Sequence, residues 1–171
     1  MVRRVSGLGR VESSMSRPDP FDILGLPPRF DLTPPEIRTA HLSRVARLHP
    51  DAAGSDDEAA AVNDARKILE DPESRARALL ARLGPNAPDA DALPDGFLME
   101  IMEIREAMES AADLERFETL AASRRAAHVD RIDQLFRACG PSPSSERLAE
   151  IRKELNAWRY TERMIEQLDQ P

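Results

Sequence analysis

Apolar residues recur along this chain at helical spacing, and no stretch alternates in the manner of a strand. Pro18 to Pro28 contains FDILGL, a short apolar segment with room for one or two helical turns. Thr33-Pro34-Pro35-Glu36 then reads as a helix start. Threonine caps, proline suits the first turn, and Glu36 can close a capping box. The helix predicted from here ends just before Pro50. Ile37, Ala40, Leu42, Val45 and Leu48 define its expected buried side, and Arg38, His41, Arg44 and Arg47 its solvated basic face. Ser55-Asp56-Asp57-Glu58 opens another helix that runs to about Glu70, with Val62, Ala65, Ile68 and Leu69 on one stripe. Asp71-Pro72 starts a third, lined inside by Ala76, Leu79, Leu80 and Leu83 and ended by Gly84-Pro85.

Residues 85–94 are rich in proline and aspartate and read as a linker. Three further helices are predicted: about Asp95 to Met108, about Asp113 to Ala138, and about Ser145 to Leu168. The middle one has a stripe of Leu114, Phe117, Ala121, His128, Ile132, Leu135 and Cys139. Short connections imply antiparallel neighbours. The expectation is an all-α chain: a tail at 1–17, a helical domain at 18–84 built on an antiparallel hairpin, and a three-helix bundle at 95–171.

Two of the bundle helices carry more apolar residues than one face needs. Phe97, Ile101, Ile104 and Met108 form the core stripe of the first. Leu98 and Met102 form a second stripe, with Met99, Glu103 and Glu106 beside it. Such a helix is either wrapped by neighbours on both sides or presents a partner-binding face, for which methionine is suited. In the last helix Leu148, Ile151, Leu155, Trp158 and Ile165 share one stripe, while Tyr160, with Met164 and Leu168, marks another surface.

Composition narrows the function classes. Net charge is −7 and pI about 5.1, which argues against general nucleic-acid binding. The local balance is different between residues 36 and 48, where three arginines face one glutamate. A basic helix on an acidic chain suits docking on an acidic protein surface. The single cysteine, Cys139, allows no disulfide within the chain and no cysteine-rich metal site. No apolar run approaches the roughly 18 residues of a membrane span. Residues 1–17 are basic and serine-containing, the composition of a transit peptide, of a disordered tail, or of a leader upstream of a start at Met15. A disordered tail is the expectation from that composition.

The chemistry-bearing feature is His49-Pro50-Asp51. Pro50 forces the chain out of the basic helix and presents an imidazole and a carboxylate on a turn. No nucleophile, glycine-rich phosphate loop or metal motif accompanies them, so they are expected to bind rather than to catalyse. His128 has no His, Cys or Glu cluster at metal spacing and is expected at the edge of the core. Neither a metal nor a cofactor is expected.

With these residues in view, positions 20–83 resemble a J domain, the module that activates DnaK-type ATPase chaperones. The resemblance is carried by Phe21-Asp22-Ile23-Leu24-Gly25-Leu26, by Arg44 and Arg47, by His49-Pro50-Asp51, and by the AVNDARKILEDPESRARALL region. The second half resembles HscB, the J-type co-chaperone of iron–sulfur cluster assembly, through Phe97-Leu98-Met99-Glu100 and Met102-Glu103-Ile104-Arg105-Glu106. The resemblance implies a non-enzyme with two partners. His49, Pro50, Asp51, Arg44 and Arg47 would dock on an HscA/DnaK-type chaperone and stimulate its ATPase. Leu98, Met99, Met102, Glu103, Glu106 and Tyr160 would hold an IscU-type scaffold. A monomer or weak dimer is implied, in the cytoplasm, or in the mitochondrial matrix of a eukaryote. One departure stands out: Ala52-Ala53-Gly54 follows the motif, where J domains commonly carry a basic residue, and the loop is clipped. Two readings remain beside the first: a J protein with a different client, and a helical adaptor with a vestigial motif.

Overall fold

The computed structural model describes residues 18–48, 55–84, 92–110, 114–140 and 142–168. These form seven helices: α1 Pro20–Leu24, α2 Pro34–Val45, α3 Ser55–Glu70, α4 Pro72–Leu83, α5 Phe97–Glu109, α6 Leu114–Cys139 and α7 Ser145–Leu168. The expected tail, the expected turn at 49–54 and most of the expected linker lie outside the described residues.

Local chemistry sets the helix ends. Asp19 caps α1, its carboxylate accepting the Phe21 N–H at 2.8 Å. Gly25 ends α1 at φ 69°. There the Gly25 N–H reaches Asp22 O and the Leu26 N–H reaches Phe21 O at 2.9 Å, a Schellman closure that needs the left-handed region glycine tolerates. At the start of α2 the Glu36 carboxylate accepts the Thr33 N–H at 2.8 Å and the Thr33 hydroxyl at 2.7 Å. Asp71 caps α4 by accepting the Ser74 N–H at 2.7 Å.

The buried residues form two apolar clusters. In the first, Phe21, Leu24, Ile37, Val62, Leu69, Ala76 and Leu79 of α1–α4 meet Ile132 and Leu135 of α6 and Leu148, Ile151, Leu155 and Trp158 of α7. In the second, Phe97, Ile101, Ile104 and Met108 of α5 meet Ala121 of α6 and Ala157, Met164 and Ile165 of α7. The α6–α7 hairpin therefore feeds both. Phe30 stacks on Phe136 at 5.7 Å, and the buried Arg75 lies 5.1 Å over the Phe30 ring. Burial pushes the Arg75 guanidinium below its ordinary value, against the attraction of Asp71.

Three expectations are corrected. The helix read as running to Pro50 ends at Val45, and residues 46–48 continue as a turn. Leu42 and Val45, expected inside, are exposed, whereas His41, expected on the solvated face, is buried. His41 Nε2 lies 2.9 Å from Asn63 Oδ1, so a hydrogen bond to α3 holds a ring where an aliphatic residue was expected. Met164 belongs to the second core and Leu168 packs against it, which leaves Tyr160 alone on the surface assigned to all three.

Candidate functional site

The first candidate surface sits where α1, α2 and α3 converge. His49, Pro50 and Asp51 lie outside the described residues; the described residues that lead up to them are Arg44, Arg47 and Leu48. Arg44 is half-buried; its Nη2 donates to Asp22 O at 3.2 Å, and it lies close over Gly25. An arginine expected to steer a partner thus braces α2 against the end of α1. Arg47 is exposed in the turn after α2. With Leu48, Asp22, Ile23 and Glu58 these two arginines line a groove of about 520 Å³.

The second candidate surface is the outer side of α5. Successive side chains turn by about 100° around a helix, so the core stripe Phe97–Ile101–Ile104–Met108 fixes where the others point. Moving off that stripe on one side, the order is Arg105, Leu98, Glu109, Met102, Glu106, Met99 and Glu103. Leu98, Met99 and Met102 are 61%, 73% and 64% exposed, an unusual outlay of apolar area on one helix. Glu103 and Glu106 are exposed, and among the described residues neither forms an ion pair. Glu100 and Glu109 are different, tied to Arg124 at 3.1 Å and to Arg105 at 2.8 Å.

Tyr160 of α7 closes one margin of this face. Its ring stands edge-on to Phe97, with centroids 5.7 Å apart at 89°, while the residue remains 45% exposed. A groove of about 220 Å³ beside it is lined by Ile101, Arg105, Arg163, Met164 and Gln167. By the order around α5, Leu98 and Met102 lie toward Tyr160, Glu106 and Met99 point directly away from the core, and Glu103 lies round the far side of α5, so the expected set wraps the outer surface of the helix. Arg105 lines the same groove as Tyr160, and its charge beside an apolar stripe was the signal that sequence reasoning passed over.

On the other side of α5 lies a polar cavity of about 240 Å³ lined by Glu100, Arg124, Arg131, His128 and Glu154. His128 is half-buried, its Nδ1 2.7 Å from Glu154 Oε1 and its Nε2 3.0 Å from Thr161 Oγ1. The Thr161 hydroxyl donates to Ala157 O at 3.0 Å, and the imidazole stacks on Trp158 at 6.1 Å. Both ring nitrogens are engaged inside the bundle. Burial pushes the Cys139 thiol up, with Arg147 opposing. Among the described residues no three His, Cys, Asp or Glu side chains gather as metal ligands, and no helix is long and apolar enough to cross a membrane.

Comparison with known proteins follows the same division. The family model of the HscB C-terminal oligomerisation domain matches residues 93–169, the span of α5–α7. A co-chaperone protein HscB homolog of Bordetella pertussis is 37% identical over 108 residues, covering 57% of this chain and 64% of its own length. A homolog of the same description from Burkholderia mallei is 35% identical over 113 residues, 60% of this chain and 65% of its own. The chain therefore spans just under two thirds of the curated relatives it matches. Among solved structures, human co-chaperone protein HscB superposes with a TM-score of 0.69 at 22% identity, over 88% of this chain and 80% of that one. The chaperone HscB from Vibrio cholerae does so with 0.65 at 25% identity, over 88% and 95%. The all-α architecture of a J domain followed by a helical bundle is shared with these structures.

Proposed function

We propose that this chain, whose sequence and fold are of HscB type, is a co-chaperone that delivers an iron–sulfur scaffold of the IscU type to an HscA/DnaK-type ATPase chaperone. The observation that carries the reading is the exposed face of Leu98, Met99 and Met102, edged by Glu103 and Glu106 and flanked by Tyr160. Flexible thioethers adapt to a client surface, and the aromatic at the margin supplies a stiff anchor. Unpaired carboxylates favour a client with basic residues around an apolar patch.

In this reading the chain is not an enzyme. His49-Pro50-Asp51 engages the chaperone, and the partners' contacts favour the hydrolysing state, a population shift driven by differential binding. Nothing is turned over on this chain, no cofactor is held, and the work is done in the cytoplasm by a monomer or weak dimer.

Two assays test the reading. In a pull-down or titration with an IscU-type scaffold, Leu98→Ala/Met102→Ala weakens binding by about tenfold or more, since two buried apolar side chains are lost. Equal binding by parent and variant rejects the α5 face, and no binding by the parent points to a different client. In a chaperone ATPase assay, His49→Gln abolishes stimulation. Equal stimulation by parent and variant rejects the J-domain role.

A further inference from the structure

The start of α5 is not fixed by the residues beside it. Its N-cap is Gly96, at φ 80°, and among the described residues no side chain caps the first turn. A Cβ at Gly96 would meet nothing within 4 Å, so glycine is there for its backbone angle and not for lack of room. Backbone bonds close the turn, from the Phe97 N–H to Pro94 O at 3.2 Å and from the Met99 N–H to Gly96 O at 3.0 Å. An aspartate cap such as those of α1 and α4 would have set the first residue locally. The chain entering α5 is held instead from across the fold. The half-buried Asn156 of α7 donates through Nδ2 to Ala92 O at 3.0 Å, a bond spanning 64 residues of sequence. Leu93 packs against the second core. One turn further along α7, Tyr160 meets the Phe97 ring edge-on at 5.7 Å. One stripe of α7 thus grips the entering segment at both ends. Asparagine is a poor helix former at an interior position, so its presence in α7 is explained by the bond it makes to Ala92.

We infer that Asn156 is a positioning residue for the face of Leu98, Met99 and Met102: by holding the Ala92 carbonyl it fixes where α5 begins, and with that the angle at which those side chains stand to Tyr160. The inference rests on the client role proposed above and names a residue on which that face depends without belonging to it. The leverage is geometric. A turn of α5 by about 30° carries a side-chain tip about 5 Å from the helix axis through roughly 2–3 Å. A displacement of that size spoils a packed contact. Apolar packing alone does not prevent it, because the polar cavity of about 240 Å³ borders α5 at Phe97, Glu100 and Ile104 and leaves room on that side. The Glu100–Arg124 pair at 3.1 Å is a surface ion pair and contributes little. The amide of Asn156, half-buried and aimed at a backbone carbonyl, is the directional tie that remains.

The test titrates an IscU-type scaffold from the same organism with the parent, Asn156→Asp, Asn156→Ala, Met102→Ala, and Met102→Ala combined with Asn156→Asp. Asparagine and aspartate are alike in size and helix propensity, and a carboxylate cannot donate to Ala92 O. Alanine removes the donor while favouring the helix. The expected result is scaffold binding weaker by about five- to tenfold in both Asn156 variants. In the Met102→Ala background the loss should shrink to about twofold or less, because the two residues act through one face. The Met99 and Glu100 amides of the first turn should exchange faster in both variants, while the Ile151 and Leu155 amides of α7 keep the parent's rates. Stimulation of the chaperone ATPase without scaffold should match the parent's. Binding within about twofold of the parent by either variant overturns the inference. So does an Asn156→Asp loss that persists in full beside Met102→Ala, which makes Asn156 a client contact of its own. A loss shared by the α7 amides or by ATPase stimulation overturns it as well, since Asn156 then serves general stability. A parent that does not bind the scaffold overturns the client role, and this inference falls with it.

Discussion

His41 shows how one residue can be placed by its neighbour rather than by its hydropathy. Its ring is 8% exposed on the inner side of α2 and touches Asn63 through Nε2. Its Nδ1 has no hydrogen-bond partner among the described residues. Burying a polar nitrogen without a partner costs on the order of 1–3 kcal/mol, while the Asn63 amide sits at the surface, where water can take the place of the imidazole. His41→Phe is therefore expected to stabilise the protein by about 1 kcal/mol, keeping a flat ring and removing the stranded nitrogen. A rise in the urea midpoint with an unchanged slope verifies it; a fall means that the Asn63 bond outweighs the stranded nitrogen. A pattern of hydropathies cannot reveal this, because the stabilising contact spans 22 residues to another helix.

At the scale of elements, legibility follows from what determines each helix. The ends of α3, α4 and α7 were readable because caps and breakers act locally, as with Asp71 and Gly84 at either end of α4. The α5 stripes were readable because a single helix cannot bury two faces 100° apart without neighbours on both, and the sequence left only the number of neighbours open. The inner face of α2 was not, because its alternatives differ by a small rotation whose outcome depends on Asn63 and Asp22. Its start makes a pH prediction. Bonds from the Thr33 backbone and hydroxyl hold the Glu36 carboxyl below its ordinary value. A carboxyl depressed in the folded state stabilises above the unfolded value, and the contribution disappears as pH falls through the folded one. Exchange of the Ile37 amide, bonded to Thr33 O at 3.2 Å, should therefore quicken relative to its intrinsic rate on acidification below the carboxylate range. In Glu36→Gln it should be faster at neutral pH and lose that acid dependence. Identical acid profiles would show that the Glu36 carboxylate does not hold the first turn.

The whole molecule is organised by α7. Leu148, Ile151, Leu155 and Trp158 enter the first core, while Ala157, Met164 and Ile165 enter the second. One continuous helix thus carries the packing of α4 at one end and of α5 at the other. Surface ion pairs across the first junction, such as Arg159 with Glu73 at 3.9 Å and Arg137 with Asp31 at 3.2 Å, contribute little beside that burial. Ile151 is fully buried in the first core. Ile151→Ala should cost about 2–5 kcal/mol through lost transfer energy and the cavity left behind. If the α6–α7 hairpin couples the two cores, the slowest-exchanging amides of α4 and α5 lose protection by the same amount, although Ile151 belongs to only one core. Loss confined to α1–α4 would mean that the two cores open independently. The distinction bears on function, since a coupled pair keeps α2 and the Leu98–Met102 face of α5 at a fixed separation. A client held on α5 would then meet the chaperone engaged at α2 in one geometry, whereas independent cores would let the two surfaces drift relative to each other.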